Sequence, residues 1–155
     1  MDSVGFESTL GAAEIALRFI VASLAGGIIG FDRERRDKAA GLRTCMLVSL
    51  AAAVFTVLTY EISMRWTTEE RVVADPVRIV DAVTGGVAFI AAGAIIAKGG
   101  TVKGLTTGAA VLLAGALGLG AGAGFYIVVL LAVLTGAAVL IGLRGVERRF
   151  FHHDD

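Results

Sequence analysis

The sequence predicts an all-α membrane protein, a polytopic bundle of about five transmembrane helices. Two observations support this fold class. The chain of 155 residues is 56% hydrophobic, has a mean hydropathy of +0.81 and contains 21 glycines but one proline, which is not the composition of a soluble domain. No charged residue occurs from Leu105 to Leu143. As one helix this stretch would be roughly twice as long as a ~30 Å hydrocarbon core is thick, so it must fold back on itself.

Apolar blocks of the sequence define the predicted spans, whose approximate bounds are Ala12–Gly30, Thr44–Ser63, Val77–Ala97, Thr101–Leu119 and Phe125–Leu143. Asp75-Pro76 before the third span is a helix-start signal, because Asp caps free amides and Pro loses no hydrogen bond at the first helical position. Glycine tolerates positive φ, so we expect the Gly-rich stretch 118–124 to make the last turn. Residues 1–149 are predicted to form one transmembrane domain and residues 150–155 a short tail.

Charge distribution predicts the orientation, because basic residues in short loops stay in the cytoplasm. Ten basic residues lie on one side of the predicted spans: Arg33, Arg35, Arg36, Lys38, Arg43, Lys98, Lys103, Arg144, Arg148 and Arg149. The other side has Arg65, Arg71 and Arg78. We therefore expect the N-terminus outside and the C-terminus in the cytoplasm. The acidic first residues lack the basic region of a signal peptide, so the first apolar segment is expected to remain as a membrane helix.

Glu14, Arg18 and Asp81 are ionisable residues inside predicted spans, where each costs about 2.5–3.5 kcal/mol at a helix centre. Glu14 and Arg18 are four residues apart and can pair on one helix face. All three lie at a similar depth near the outer boundary. One interpretation is a polar cluster that binds a cation or proton or docks a partner. The other interpretation is a structural role, in which Glu14 neutralises Arg18 and Asp81 reaches the interface.

Glycine spacing predicts close helix contacts, because small residues four apart let two helix backbones approach. The patterns are Gly26/Gly30, Gly104/Gly108 and Gly118/Gly122, and a small-residue surface on the third span contains Gly85, Gly86 and Gly93. These contacts are expected within one chain or between copies.

The loop after the first span carries the densest charge in the chain. Its Arg33–Lys38 segment either sets the topology or binds anionic lipid headgroups. Asp32, Glu34 and Arg35 could form salt bridges with Arg43 or with the second basic loop, and so fix how the spans assemble.

Nothing in the sequence indicates catalysis, a metal or a cofactor. A net charge of zero gives no basic field for nucleic acid. The stretch 99–107 lacks the Gly-Lys-Ser/Thr of a phosphate loop. Cys45 has no identifiable base, since the histidines are His152 and His153 in the tail, and a tail without a scaffold is a poor metal site. We therefore expect a protein that is not an enzyme.

Five motifs, in order, resemble the MgtC/SapB family of bacterial inner-membrane proteins over roughly residues 10–149. Residues 30–35 and 40–44 resemble its loop signature, and Glu14 and Arg18 resemble the acid and arginine of its first helix. Residues 75–79 and 85–93 are similar to its Asp-Pro-x-Arg-Ile element and its Gly-rich third helix, and residues 102–107 resemble its Val-Arg-Gly-Leu-Thr/Asn-Thr element. The matching positions outside the Gly-rich helix include Asp32, Arg33, Glu34, Arg35, Gly41, Leu42, Arg43, Thr44, Asp75, Pro76, Arg78, Lys103, Gly104, Thr106 and Thr107. The resemblance covers the family's membrane domain, and no soluble C-terminal domain is expected.

The resemblance implies adaptation to low magnesium, acid or a host environment. It also implies modulation of a membrane partner, which for the family's namesake is the F-type ATP synthase. We expect a non-enzymatic inner-membrane protein, multi-pass in the lipid bilayer, that associates with itself or with another membrane protein. The alternative is a small cation or proton transporter with its polar cluster near the outer face.

A reporter fused after Phe151 tests the orientation. Because the basic segments are predicted on the cytoplasmic side, a reporter active only in the cytoplasm should be active there. The same reporter fused after Ser63 should be inactive. Activity on the periplasmic face at Phe151 would contradict the predicted orientation.

Overall fold

The computed structural model describes residues 8–66, 75–98 and 100–150, and it describes their side chains apart from those of 65–66, 76, 98 and 143–150. Within these residues the elements are α1 Ala12–Glu34, α2 Leu42–Trp66, α3 Pro76–Gly93, β1 Ile96–Lys98, β2 Thr101–Lys103, α4 Leu105–Gly122 and α5 Tyr126–Phe150. Each predicted span overlaps one helix, and the all-α fold class is confirmed. The tail from residue 151 onward, with both histidines, lies outside the described residues.

Three helices in the described part of the chain are long and apolar enough to cross a membrane: Ala12–Glu34, Leu42–Met64 and Leu105–Gly122. The apolar helix Tyr126–Gly142 is shorter. The long helices differ in burial: 56% of the α4 span is buried, against 28% of the α1 span and 33% of the α2 span. α4 is therefore the central helix of the bundle.

A β-hairpin replaces parts of two predicted spans, which is a correction to the bounds Val77–Ala97 and Thr101–Leu119. β1 and β2 are antiparallel, with Ile96 opposite Lys103 and Lys98 opposite Thr101. Branched side chains favour extended backbone, and Gly100 adopts the positive φ (81°) that tight hairpin turns require. α3 consequently ends at Gly93, and α4 begins only at Leu105.

The turn between α4 and α5 is shorter than the predicted stretch 118–124. α4 stays helical through Gly122, and the chain turns at Ala123 and Gly124. Only Gly124, with a φ of 81°, uses the freedom of glycine for the turn. The earlier glycines of this stretch lie inside a helix, where contacts with neighbouring helices determine their role.

α4 packs against a hydrophobic cluster on each side. One cluster joins it to α1 and α5 and contains Ala22, Ala25, Ile29, Ala110, Leu117, Ala121, Val129 and Val133. The other joins it to α2 and α3 and contains Val48, Ala52, Val83, Val87, Ala91, Val111 and Ala114. Most of these side chains are small, so the helices approach closely.

Ser49 of α2 lies between a glycine of α1 and a glycine of α4. A Cβ at Gly26 would lie 2.7 Å from the Ser49 Cβ, and a Cβ at Gly118 would lie 2.8 Å from the Ser49 Cα. The Ser49 hydroxyl donates a hydrogen bond of 2.7 Å to the Ala22 carbonyl. These contacts leave no space for a larger residue at either glycine.

The other glycines of the predicted patterns divide into two groups. A Cβ at Gly30 would lie 2.8 Å from the Leu42 Cα, and one at Gly122 would lie 2.8 Å from the Ala53 Cα. Gly104, in contrast, precedes α4 with a φ of 92°. Gly104 is therefore not in a helix, but the pair still lets the end of α3 approach the start of α4. A Cβ at Gly104 would overlap the Ala94 carbonyl oxygen, and one at Gly108 would lie 3.1 Å from the Ala91 carbonyl oxygen.

The α3 glycines lie in open space. A Cβ at Gly85, Gly86 or Gly93 would have no atom of the described residues within 4 Å. These glycines therefore do not serve contacts inside the described chain, and contact with another molecule stays a prediction for them.

Substitution of Gly118 tests the central packing. Gly118→Val should lower the free energy of unfolding by about 1–3 kcal/mol or more, because the new side chain would overlap the backbone of Ser49. Thermal unfolding in detergent, followed by circular dichroism, measures the change. Gly142→Val is the control, since no atom lies within 4 Å of a Cβ there. Equal melting temperatures for the two variants would contradict the packing.

Candidate functional site at the basic end of the bundle

The two predicted basic loops meet at one end of the bundle, which we call the basic end. It comprises the end of α1, residues 35–41, the start of α2, the β-hairpin and the start of α4. α1 and α4 are antiparallel, because Arg33 near the end of α1 contacts Thr107 in the first turn of α4. The predicted loop signature and the second basic loop are thus brought together.

Arg33 is a buried cation at this end, with 4% of its surface exposed. Its Nη2 donates a hydrogen bond to the hydroxyl of Thr107, which is also buried. Its Nε is buried without a hydrogen-bond partner among the described residues. No described carboxylate forms an ion pair with Arg33, so a neutral hydroxyl is the group that holds this charge.

Glu34 and Gly41 act together at the start of α2. The Glu34 carboxylate accepts a hydrogen bond of 2.9 Å from the Leu42 amide, one of the amides that a helix start leaves free. A Cβ at Gly41 would overlap this carboxylate. Gly41 has no side chain and therefore leaves room for the Glu34 carboxylate to accept the hydrogen bond from the Leu42 amide.

The other charges of the loop do not form the predicted salt bridges with Arg43. Asp32 pairs with Arg36, one turn further on, at 2.7 Å, since i,i+4 residues lie side by side on a helix. Arg35 lies 5.8 Å from the centre of the Phe31 ring. Arg43 is exposed and forms no ion pair with the described residues, so the salt-bridge hypothesis is wrong for Arg43.

A cavity of about 760 Å³ opens at the basic end between the α1–α2 loop, the hairpin, the start of α4 and α5. We call it the basic-end cavity. Its polar lining consists of Asp32, Arg33, Asp37, Lys38, Lys103, Thr106 and Thr107. Gly104 also lines it. The predicted residues of the second basic loop thus share one space with Asp32 and Arg33 of the loop signature.

At the opposite end, Arg18 connects α1 to the end of α4. Arg18 forms an ion pair with Glu14 and donates a hydrogen bond of 2.7 Å to the Gly122 carbonyl. Cations are favourable at helix C-termini, where carbonyl groups lack partners. The contacts of this pair match the structural interpretation.

Asp81 is exposed on α3 and makes no hydrogen bond or ion pair with any described residue. The described structure does not join it to Glu14 and Arg18. The predicted helix start nearby is confirmed, because Asp75 accepts a hydrogen bond of 3.0 Å from the Val77 amide and Pro76 opens α3. Arg78 lies 3.8 Å from the Asp75 carboxylate, on an exposed surface.

The role of Glu61 was not predicted from the sequence. Its carboxylate accepts hydrogen bonds from the Ser8 hydroxyl at 2.8 Å, the Thr9 amide at 2.7 Å and the Leu10 amide at 2.9 Å. These bonds tie the chain before α1 to the last turns of α2. An acid near the end of an apolar helix is a signal for such a contact, but the sequence does not name its partner.

No group of three or more His, Cys, Asp or Glu side chains in the described ranges could hold a metal ion. The arrangement consists of closely packed apolar helices with charged groups at the two ends. With helices long enough to cross a bilayer, it defines an integral membrane protein.

The chain matches the MgtC family over residues 19–149 and belongs to that family. The predicted resemblance is thereby confirmed.

Curated relatives agree with this assignment. The chain is 37% identical to Protein SapB of Bacillus subtilis over 73% of this chain and 49% of the relative. It is 38% identical to Putative magnesium transporter YhiD of Escherichia coli K12, over 74% of this chain and 53% of the relative. With Protein MgtC of Brucella abortus it shares 38% identity over 66% of this chain and 40% of the relative. The chain thus spans about half the length of these relatives. No solved structure matches it significantly.

A double-mutant cycle tests the Glu34 cap. Glu34→Ala removes it, and Gly41→Ala displaces it, so each should cost about 1 kcal/mol of stability, as loss of a helix cap does. In the Glu34→Ala background, Gly41→Ala should cost clearly less, because the overlap is gone. Thermal unfolding in detergent measures all three variants, with Gly142→Ala as control. Additive losses would contradict the shared contact.

Proposed function

We propose that this protein is a multi-pass protein of the bacterial inner membrane, with its basic end in the cytoplasm, that acts by associating with another membrane protein rather than by catalysis. The association supports adaptation to magnesium limitation, acid or host stress. The family assignment and the name of the relative YhiD, a putative magnesium transporter, support the magnesium context.

The observation that carries the proposal is the free face of α3. This helix packs on α4 through Val83, Val87 and Ala91, which are buried. On the rest of its surface, Phe89 is 83% exposed and the three glycines lie in open space. Small residues on a lipid-facing helix permit close backbone approach by a second helix.

Gly86 and Gly93 lie on one side of α3, because seven residues make nearly two helical turns. Gly86 also lines an apolar groove of about 490 Å³ between α2 and α3, together with Phe55, Ile79 and Ile90. We call the surface formed by Gly86, Phe89, Ile90 and Gly93 the α3 face. The two glycines of this face let a transmembrane helix of a partner approach closely, and Phe89 and Ile90 provide bulky side chains for it to pack against.

The partner is a membrane protein or a second copy of this chain. The F-type ATP synthase is the candidate that the family resemblance supplies.

The alternative function is transport of a cation or proton, which the name of YhiD favours. Such a route would need Glu14, Arg18 and Asp81 to line one path. Glu14 and Arg18 are engaged with each other and with α4, whereas Asp81 lies apart on α3. The geometry therefore gives more support to association.

Bulky substitutions on the α3 face test the proposal. Gly86→Leu with Gly93→Leu should leave the melting temperature nearly unchanged, because nothing lies within 4 Å of either Cβ. The variant should lose its partner when the tagged protein is purified from native membranes and bound proteins are identified by mass spectrometry. It should also lose growth support at low magnesium.

Gly142→Leu, an equally open glycine on α5, is the matched control and should keep the partner. The same bound proteins in both variants would contradict the proposal. Magnesium flux into liposomes that Asp81→Asn abolishes would favour the transporter instead.

A further inference from the structure

Arg33 carries a positive charge that forms no ion pair in the described part of the chain. It is more than nine-tenths buried, its Nε faces no acceptor, and it lines the basic-end cavity. The two acids beside it in sequence are engaged elsewhere, since Asp32 is paired with Arg36 and Glu34 accepts a hydrogen bond from the Leu42 amide. A buried cation held only by a hydroxyl loses hydration without receiving a counter-charge in return.

The start of α4, beside Arg33, carries a partial charge of the same sign. Gly104 is its N-cap and has no side chain to accept hydrogen bonds from the first-turn amides, and no other side chain of the described residues caps them. Free amides at a helix N-terminus favour anions and disfavour cations. Arg18 at the C-terminus of α4 has the favourable arrangement, whereas Arg33 at the N-terminus has the reverse. An anion between the guanidinium and the amides would satisfy both groups.

Other positive groups face the same space. Lys38 and Lys103 line the basic-end cavity from the loop and from the hairpin, and Thr106 adds a hydroxyl. Two acids also line it. Asp32 is paired with Arg36, and Asp37 is exposed, so water and salt screen its charge. We propose that the basic-end cavity binds a phosphate group, held by Arg33, the first amides of α4 and the two lysines.

The phosphate can come from an anionic phospholipid or from a soluble phosphate. An apolar groove of about 480 Å³ between α1, α2 and α5 shares Asp32 and Leu140 with the basic-end cavity. An acyl chain in that groove would place its headgroup beside the cavity. A soluble phosphate would occupy the cavity alone.

Charge-matched double variants test the site in the full chain. Lys38→Gln with Lys103→Gln removes two exposed lysines of the cavity, and Arg43→Gln with Arg78→Gln removes two exposed charges that do not line it. Arg33 is left unchanged in both variants, because its side chain is buried and also bonds to Thr107. Circular dichroism and gel filtration verify that both variants are folded.

Two measurements distinguish a phospholipid headgroup from a soluble phosphate. Native mass spectrometry compares retention of phosphatidylglycerol and phosphatidylcholine with the same acyl chains. Thermal unfolding in neutral detergent compares inorganic phosphate with sodium chloride at equal ionic strength. Wild-type protein should retain the anionic lipid or be stabilised by phosphate, and the lysine variant should bind about tenfold more weakly.

Lipid selectivity that the lysine variant loses and the arginine variant keeps would identify a headgroup site. Stabilisation by inorganic phosphate with the same pattern would identify a soluble ligand. Neither effect in the wild type, or equal loss in both variants, would overturn the proposal. Partner binding through the α3 face is measured separately and does not depend on this result.

Discussion

The close approach of α2 to both α1 and α4 at Ser49 is the constraint on which the rest of the structure depends. Ser49 fits only because Gly26 and Gly118 have no side chains, and its hydroxyl bonds to the Ala22 carbonyl. Within a bilayer the hydrophobic effect does not drive helices together, so packing of small residues supplies the attraction. Once the three helices are in contact, α3 and α5 complete the apolar clusters on the two sides of α4.

The two ends of α4 are held by arginines of α1, but in different electrostatic settings. Arg18 bonds to a carbonyl at the C-terminus and has Glu14 as its counter-charge. Arg33 lies at the N-terminus of α4, where the helix dipole is also positive, and no carboxylate of the described residues forms an ion pair with it. The Nε of each arginine is buried without a hydrogen-bond partner among the described residues, but Arg18 has an ion pair within the chain and Arg33 has none among those residues. This asymmetry distinguishes a structural contact from a candidate binding site.

The helices and their order followed from the sequence because long apolar blocks separated by charge determine both. The hairpin did not, since Ile96 and Val102 are as apolar as their helical neighbours and only the Gly99-Gly100 pair indicates a turn. The residues of the candidate site were named from the signature, yet their contacts were not. Arg33–Thr107 and Glu34–Leu42 join positions whose proximity depends on how the helices pack. Ser49 and Glu61 were missed for the same reason.

The contacts of Glu61 with residues 8–10 and of Glu34 with Leu42 join α1 and α2 at opposite ends. All of these groups lie within residues 8–61, which a ribosome makes before α4. The pair can thus be aligned in the membrane while the rest of the polypeptide is still being made. The surface around Ser49 is then a preformed template, and the late-arriving central helix is added to it.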